Sequence, residues 1–513
     1  MGQSTSPSLA IDGDEIRAAA KHAVDLGLAH HEAYFTNPPG IRSSSAIRDV
    51  DGPWANASLA AAEYDPPTAP AASMDSLLSY VRDNVVGDAA GTNTATPTNL
   101  AFVCGGLLPQ ANALDFYLHS INPYGNVWYM APFLQRLEVN VIHWFCRVVG
   151  YPRPHSLGIF SDGASMANHH AIVLARQKAF PDNHDIARGT MYLSRDAHFC
   201  LAKGARMAGI VPEHCRVIET DSQGRMRVDA LAAQLEADVA AGLVPFFIAT
   251  ALGTTSLGAV DDLLSIAALA KAFGCHLHCD GAMGGLFLLT DRGKNVMQGV
   301  ELSDSVCFDF HKSLGLPLAT SLLVVKDRND LVDGFRSANA NDYLPQASHA
   351  STRYFLGSEA EFDHDLIAFT DCSPELSRAP KGVKVWWMLK LHGFDAWRAH
   401  ADLLLDCAAY ARAELASVRG ILLGPSGLEV VTFRVATDPD CSTVDAMNAK
   451  TTAFVAAVNQ RHKVRMSMAA YTPDKGPKYT LARVCFQHVA VTRAVVDLLV
   501  AEVRAVAELS RDQ

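Results

Sequence analysis

Between about Asn99 and Lys326 short apolar runs alternate with helical patterns, and this alternation limits the possible folds more than any other feature of the chain. Residues 157–160 precede a helical stretch at 168–180, and residues 191–194 precede one at about 199–208. Residues 246–252 are followed by a helical pattern at 263–273, and the runs 276–279, 305–308 and 321–325 complete the set. Nearly continuous apolar strands between amphipathic helices predict an α/β fold with a mostly parallel sheet covered on both faces. Upstream, Leu137, Val141, Trp144, Phe145 and Val148 recur at helical spacing, and Gly150 and Pro152 end that helix. Ligands of such sheets sit beyond the carboxyl ends of the strands, so the residues just after each predicted strand are where chemistry is expected.

Three regions follow: an N-terminal helical and extended arm at 1–98, a large domain at 99–379 and a smaller C-terminal α/β domain at 380–513. The arm has helical patterns at 11–32 and 74–86 but no core pattern of its own. The last region predicts helices at 383–391, 396–415, 444–459 and 492–509, with strands at 429–435 and 483–486. A chain of 513 residues, 49% hydrophobic and 19% charged, has globular composition and buries a large core. Its 43 basic and 54 acidic residues argue against nucleic acid as a partner. The most apolar run, residues 284–289, is too short to span a bilayer, so no membrane association is expected. Eleven scattered cysteines without a CxxC pair, and an N-terminus without an apolar signal core, fit reduced thiols in a cytoplasmic protein.

Two segments carry the chemistry. His276-Leu277-His278-Cys279-Asp280-Gly281-Ala282 is a strand ending in an acid and a glycine turn, and about thirty residues on comes Asp309-Phe310-His311-Lys312. A strand-end Asp followed by a strand-end His-Lys is what pyridoxal phosphate (PLP) asks for: the Lys amine forms a Schiff base and the carboxylate keeps the pyridine nitrogen protonated. Taken singly, a strand-end Lys is usually solvated and an Asp before Gly is usually a turn residue. A metal site is the other reading of the His276, His278, Cys279, Asp280 cluster. Alternation strings the two histidines and Asp280 along one face over roughly 13 Å and turns Cys279 away, so the set converges poorly and no metal is expected.

Three further elements lie just after predicted strands. Gly163-Ala164-Ser165 opens a helix whose free N–H groups suit a phosphate. Asp196-Ala197-His198 places an imidazole where it can stack on a ring. Residues 251–262, with Thr254 and Asp261, form either a ligand-facing turn or a helix cap.

In this order these runs resemble the group II PLP-dependent decarboxylases, which include the aromatic-L-amino-acid decarboxylases. The resemblance is densest from about Asn122 to Val325, takes in Asn122-Pro123-Tyr124-Gly125-Asn126-Val127-Trp128, and continues through Lys384-Val385-Trp386. It implies the aspartate aminotransferase-like fold of type I PLP enzymes, with a sheet of the seven-stranded type, and a homodimer with active sites at the subunit interface. It implies that Ala164, Ser165 and His311 hold the phosphate, that His198 stacks on the pyridine and that Thr254 lies near the cofactor. Asp280 would pair with the ring nitrogen, Ala282 would pack beneath the ring and Lys312 would carry the Schiff base. Tyr343, followed by Leu344, matches the family's proton-donating Tyr-Leu pair with a small insertion, and Tyr354 is the rival.

The chain also departs from the family. Phe310 stands where Pro is familiar, Ser313 replaces a bulky aromatic, Met283 stands where an aromatic is frequent, and Ser377-Arg378-Ala379 keeps one of two arginines. The expectation is decarboxylation of an L-amino acid to the amine and carbon dioxide. An aromatic or apolar side chain is favoured by Trp128, Tyr129 and Phe133, with Trp128 and Arg378 as substrate residues. The alternatives are oxidative formation of an aldehyde or other PLP lyase chemistry, and a catalytically silent homologue that binds rather than reacts.

Overall fold

The computed structural model describes residues 13–32, 73–82, 96–126, 130–335, 369–435, 443–473 and 476–509. The large sheet comprises β1 (Leu157–Ser161), β2 (Gly189–Ser194), β3 (Cys215–Ile218), β4 (Val244–Ala251), β5 (His276–Gly281), β6 (Ser305–Asp309) and β7 (Ser321–Val325), in the spatial order β1-β7-β6-β5-β4-β2-β3. β7 runs antiparallel to β1 and β6, and the remaining pairings are parallel. β1, β2, β5, β6 and β7 are buried along their whole length, as apolar strands covered on both faces must be. The sequence missed β3, an edge strand whose first three residues are half-buried or exposed and which lacks the continuous apolar signal.

The Ala164–Ala179 helix packs on β1, β4, β5, β6 and β7, and the Pro132–Val149 helix packs on β1 and β7. Phe310, where the resemblance would place a Pro, is 1% exposed. Its ring lies 4.7 Å from that of Phe145, 6.1 Å from Phe308 and 6.1 Å from Phe160. Such tilted and offset pairs each add about 0.5–1.5 kcal/mol beyond simple burial. Phe310 therefore anchors from below the turn that bears His311 and Lys312.

The smaller sheet, in the order β10-β11-β9-β8, is antiparallel and comprises β8 (Ile421–Leu423), β9 (Val430–Val435), β10 (Ser467–Tyr471) and β11 (Tyr479–Cys485). The two helices expected near 383–391 and 396–415 form one run, Gly382–Ala416, broken at Gly393, where φ 79° and ψ 158° are not helical. Residues early in the chain are stitched to this sheet: Leu100 N–H donates to Arg465 O and Cys485 N–H to Leu100 O, both at 2.9 Å. In the arm, the Gly13–His31 and Met74–Tyr80 helices pack on each other, and Ser73 caps the second with a reciprocal Ser76 bond. Among the described residues no helix is long and apolar enough to cross a membrane.

Candidate active site

The carboxyl ends of β1, β2, β4, β5 and β6 surround a cavity of about 220 Å³. Ala164, Ser165, His198, Thr254, Asp280, Ala282, His311 and Lys312 all line it, together with Asp309 and Met283. Eight residues singled out from scattered segments thus meet in one place. Arg378 does not line it. Its guanidinium pairs with the Glu138 carboxylate, donates to Asn126 Oδ1 at 2.8 Å and lies 4.5 Å over the Phe369 ring. Trp128, Tyr343 and Tyr354 lie outside the described residues.

Lys312 sits in the four-residue helix Phe310–Ser313 directly after β6. Its Nζ is 3.2 Å from Asp309 Oδ2. Burial disfavours the charged amine, but Asp309 and Asp280 outweigh it and hold the amine above its ordinary value. Asp309 also contacts His311 Nδ1 and accepts from Ser321 Oγ at 2.7 Å. Burial pushes the Asp309 carboxyl up, yet its His311 and Lys312 partners prevail and hold it below the usual carboxylate range.

The turn around Lys312 is clamped by chain from elsewhere. A Cβ on Gly105 would fall 2.0 Å from Lys312 O, so only glycine fits there. Val489 N–H donates to Gly105 O at 2.9 Å, and Leu108 N–H to Gly315 O at 2.8 Å. The sequence reading missed Gly105 as a site residue; its position in Gly105-Gly106 was the available signal of close backbone approach.

Asp280 ends β5 facing the cavity. Its Oδ1 accepts from Ala282 N–H at 3.1 Å and its Oδ2 from Asn168 Nδ2 at 2.9 Å. A Cβ on Gly284 would lie 1.8 Å from Leu252 O, which explains the glycine turn behind the acid. His198 Nδ1 accepts from Cys200 N–H at 3.3 Å, leaving Nε2 to carry the proton of the neutral ring. Burial lowers the His198 pKa, Asp280 opposes this and Lys312 adds to it, so the neutral ring is favoured. The Ala164–Ala179 helix starts after Gly163 (φ 89°). Met166 and Ala167 N–H donate to Gly163 O at 3.0 and 3.2 Å, and the N–H groups of Ala164 and Ser165 precede the first helical bond and face the cavity end.

The segment after β4 does both: Thr254 lines the cavity, and the helix that follows is capped from its last residue. Thr254 Oγ1 accepts from Ala259 N–H at 3.1 Å. Asp261 accepts from Ala251 N–H at 2.8 Å and Met226 N–H at 2.7 Å. It is Asp262 that caps the Leu263–Phe273 helix, through Ser265 N–H at 3.2 Å.

These groups fit PLP. A helix N-terminus with His311 suits its phosphate, Lys312 its aldehyde carbon, Asp280 its ring nitrogen and the flat His198 ring its face. Among the described residues no group of three or more His, Cys, Asp or Glu has the arrangement of a metal site.

Comparison with known proteins agrees with the geometry. Residues 65–435 match the pyridoxal-dependent decarboxylase conserved domain. The chain is 28% identical over 430 residues to an aromatic-L-amino-acid decarboxylase of Bacillus atrophaeus, covering 84% of this chain and 83% of that one. It is 30% identical over 345 residues to the L-2,4-diaminobutyrate decarboxylase of Rhizobium meliloti (strain 1021), covering 67% and 66%. In fold it is similar to Oryza sativa TDC solved with PLP and tryptamine, with TM-score 0.84, 22% identity and coverage of 99% and 100%.

Proposed function

Since the chain belongs to the pyridoxal-dependent decarboxylase family and is a PLP-dependent amino-acid decarboxylase, we propose that Lys312, Asp280, His198 and Tyr343 do its chemistry on an aromatic or otherwise apolar L-amino acid. The observation that carries the residue roles is one cavity holding Lys312, Asp280 and His198 at the ends of three strands. When bound, PLP supplies an aldehyde that joins amines and a pyridinium ring that takes up the electron pair left as carbon dioxide departs.

The protein's own groups do the rest. Lys312 offers its amine for exchange with the substrate amine, and Asp309 and Asp280 set its charge. Asp280 holds the proton on the ring nitrogen, acting as a fixed charge in a site sheltered from water. His198 keeps the ring plane in place, Thr254 and Ala282 line the cavity around it, and Ala164, Ser165 and His311 hold the phosphate. Tyr343 delivers the proton to the substrate Cα, a role that rests on its Tyr-Leu pair.

The apolar preference is supported by the described lining. Met283, Leu201 and Ala251 contribute apolar surface, while the basic groups, Lys312, His311 and His198, all have cofactor roles. Arg378 is spent on Glu138 and Asn126. An acidic substrate side chain would find no further described cation there.

A homodimer is supported by large apolar side chains left outside: Phe133 is 84%, Leu318 79% and Phe199 72% exposed, with Phe116, Tyr117 and Ile121 exposed along one helix. A cytoplasmic location is supported by ten described cysteines that are all free thiols.

The test is a panel of amino acids assayed for carbon dioxide, amine and hydrogen peroxide, with borohydride reduction and peptide mapping of the holoenzyme. Aromatic amino acids should release equal carbon dioxide and amine without peroxide, and the reduced cofactor should map to Lys312. Turnover of acidic amino acids alone overturns the substrate class, and label on another lysine overturns the site.

A further inference from the structure

His276 and His278, which with Asp280 alternate along one face of β5, are wholly buried and unused by the chemistry above. Three of their four nitrogens are engaged in hydrogen bonds. His276 Nε2 lies 2.8 Å from Ser305 Oγ, and His278 Nδ1 lies 2.8 Å from the same oxygen. His278 Nε2 lies 2.9 Å from Asn168 Oδ1. Asn168 Nδ2 lies 2.9 Å from Asp280 Oδ2. The Phe247 ring stacks on both imidazoles, with centroids 5.8 Å away in each case.

The direction of every bond follows from the last one. A carboxylate oxygen accepts, so the Asn168 NH₂ group faces Asp280 and its carbonyl faces His278. That carbonyl accepts as well, so the His278 proton is on Nε2 and Nδ1 carries the lone pair. Ser305 gives its one hydroxyl proton to that lone pair, and its oxygen then accepts from His276 Nε2–H. Burial pushes His278 down to about 3 and His276 down to about 4, which keeps both rings neutral as this pattern requires. Beyond His276, Asp330 and Lys178 are the charged groups that bear on it.

We propose that His276, Ser305, His278 and Asn168 form a one-way hydrogen-bond chain whose final donor fixes the Asp280 carboxylate toward the cofactor, making them positioning residues for the reaction. The chain presents the positive end of four aligned donors to Asp280 without offering it a mobile proton. It thereby orients the carboxylate and locks its rotamer. The inference rests on Asp280 being the partner of the cofactor nitrogen.

The experiment uses the PLP-loaded full chain with three variants. His278→Leu removes both bonds of the ring, whereas His278→Gln offers an acceptor oxygen and a donor N–H on one planar group, as the neutral imidazole does. His278→Leu should weaken PLP binding about tenfold or more, the order expected when buried partners are left unmet, and His278→Gln should recover most of it. Equal loss in both variants shows a merely structural role and overturns the proposal. Histidine-labelled nitrogen NMR of the wild-type holoenzyme reads the pattern directly and does not depend on any variant folding. It should show two rings protonated on Nε2 that do not titrate between about pH 5 and 8, the range in which an ordinary histidine does. An Nδ1–H form or a titrating His278 overturns the direction of the chain. Asp280→Asn separates the two readings. If it leaves PLP affinity and turnover unchanged, the role of Asp280 falls. If it impairs them while His278→Leu does not, the chain alone falls.

Discussion

Replacing Phe310 with the Pro that is familiar at this position in the family should damage this protein. The backbone dihedrals do not stand in the way. Asp309 before it is extended at φ −125°, ψ 94°, and position 310 is the first residue of its short helix. The cost comes from what the Phe does. Its ring fills space against Phe145, Phe308 and Phe160, and emptying that volume costs about 3–4 kcal/mol. Its N–H donates to Thr320 O at 3.0 Å, and leaving that buried carbonyl unmet adds about 1–2 kcal/mol. The expected loss of about 4–6 kcal/mol is a large share of the 5–15 kcal/mol by which domains are stable. Urea titration of the holoenzyme, followed by tryptophan fluorescence and cofactor absorbance, measures it. Phe310→Leu keeps most of the volume and the N–H, so it should cost no more than about 1.5 kcal/mol. A Pro variant as stable as wild type would refute the reasoning, since neither the ring contacts nor the Thr320 bond would then support the Lys312 turn.

Four other outcomes are expected. Asp280→Asn keeps the shape but removes the charge, so turnover should fall on the order of a thousandfold while the fold survives; near-normal turnover would show another group supporting the ring. Asp309→Asn removes the partner that favours the charged Lys312 amine. The Lys312 pKa should fall, more amine should be neutral at pH 7, and stopped-flow PLP capture by the apoenzyme should reach its midpoint at lower pH; an unmoved midpoint would discount the pair. Burial pushes Glu429 up to about 8. A carboxyl raised in the fold adds stability that is full below its unfolded value near 4.3 and lost as pH rises through about 8, so Glu429→Gln should outlast wild type in a thermal melt at pH 8 and not at pH 4. Tyr343→Phe should slow amine formation with PLP content unchanged; if Tyr354→Phe has that effect instead, the proton donor is Tyr354.

What the sequence made legible follows the strength of each local signal. β5 and β6 declare themselves because buried central strands are apolar throughout and their ends carry Asp280 and His311-Lys312. β3, β8 and β10 escaped because edge strands expose part of their length. Asn168 escaped because an amide within an amphipathic helix has no periodic signature, although it touches Asp280. His276 and His278 were seen to be strung along one face, but their common partner Ser305 lies on the next strand, and strand pairing is not written locally. Arg378 was selected from the family pattern. Its partner Glu138 stands 240 residues away in sequence, and only the folded chain shows that its charge is already used.

The clamp of Gly105 and Val489 on the Lys312 turn has a consequence for how the enzyme matures during synthesis. The lysine leaves the ribosome roughly 180 residues before Val489, which at about 5–20 residues per second is an interval on the order of ten to forty seconds. Through that interval the nascent chain carries Asp280, His311 and Lys312 with Gly105 and Leu108 already synthesised but without Val489, whose N–H holds the Gly105 carbonyl. Vitamin capture is therefore expected to be completed late, once Val489 has arrived to hold Gly105 against the Lys312 turn, and a ribosome stalled short of Val489 should hold a polypeptide whose coenzyme seat is unfinished.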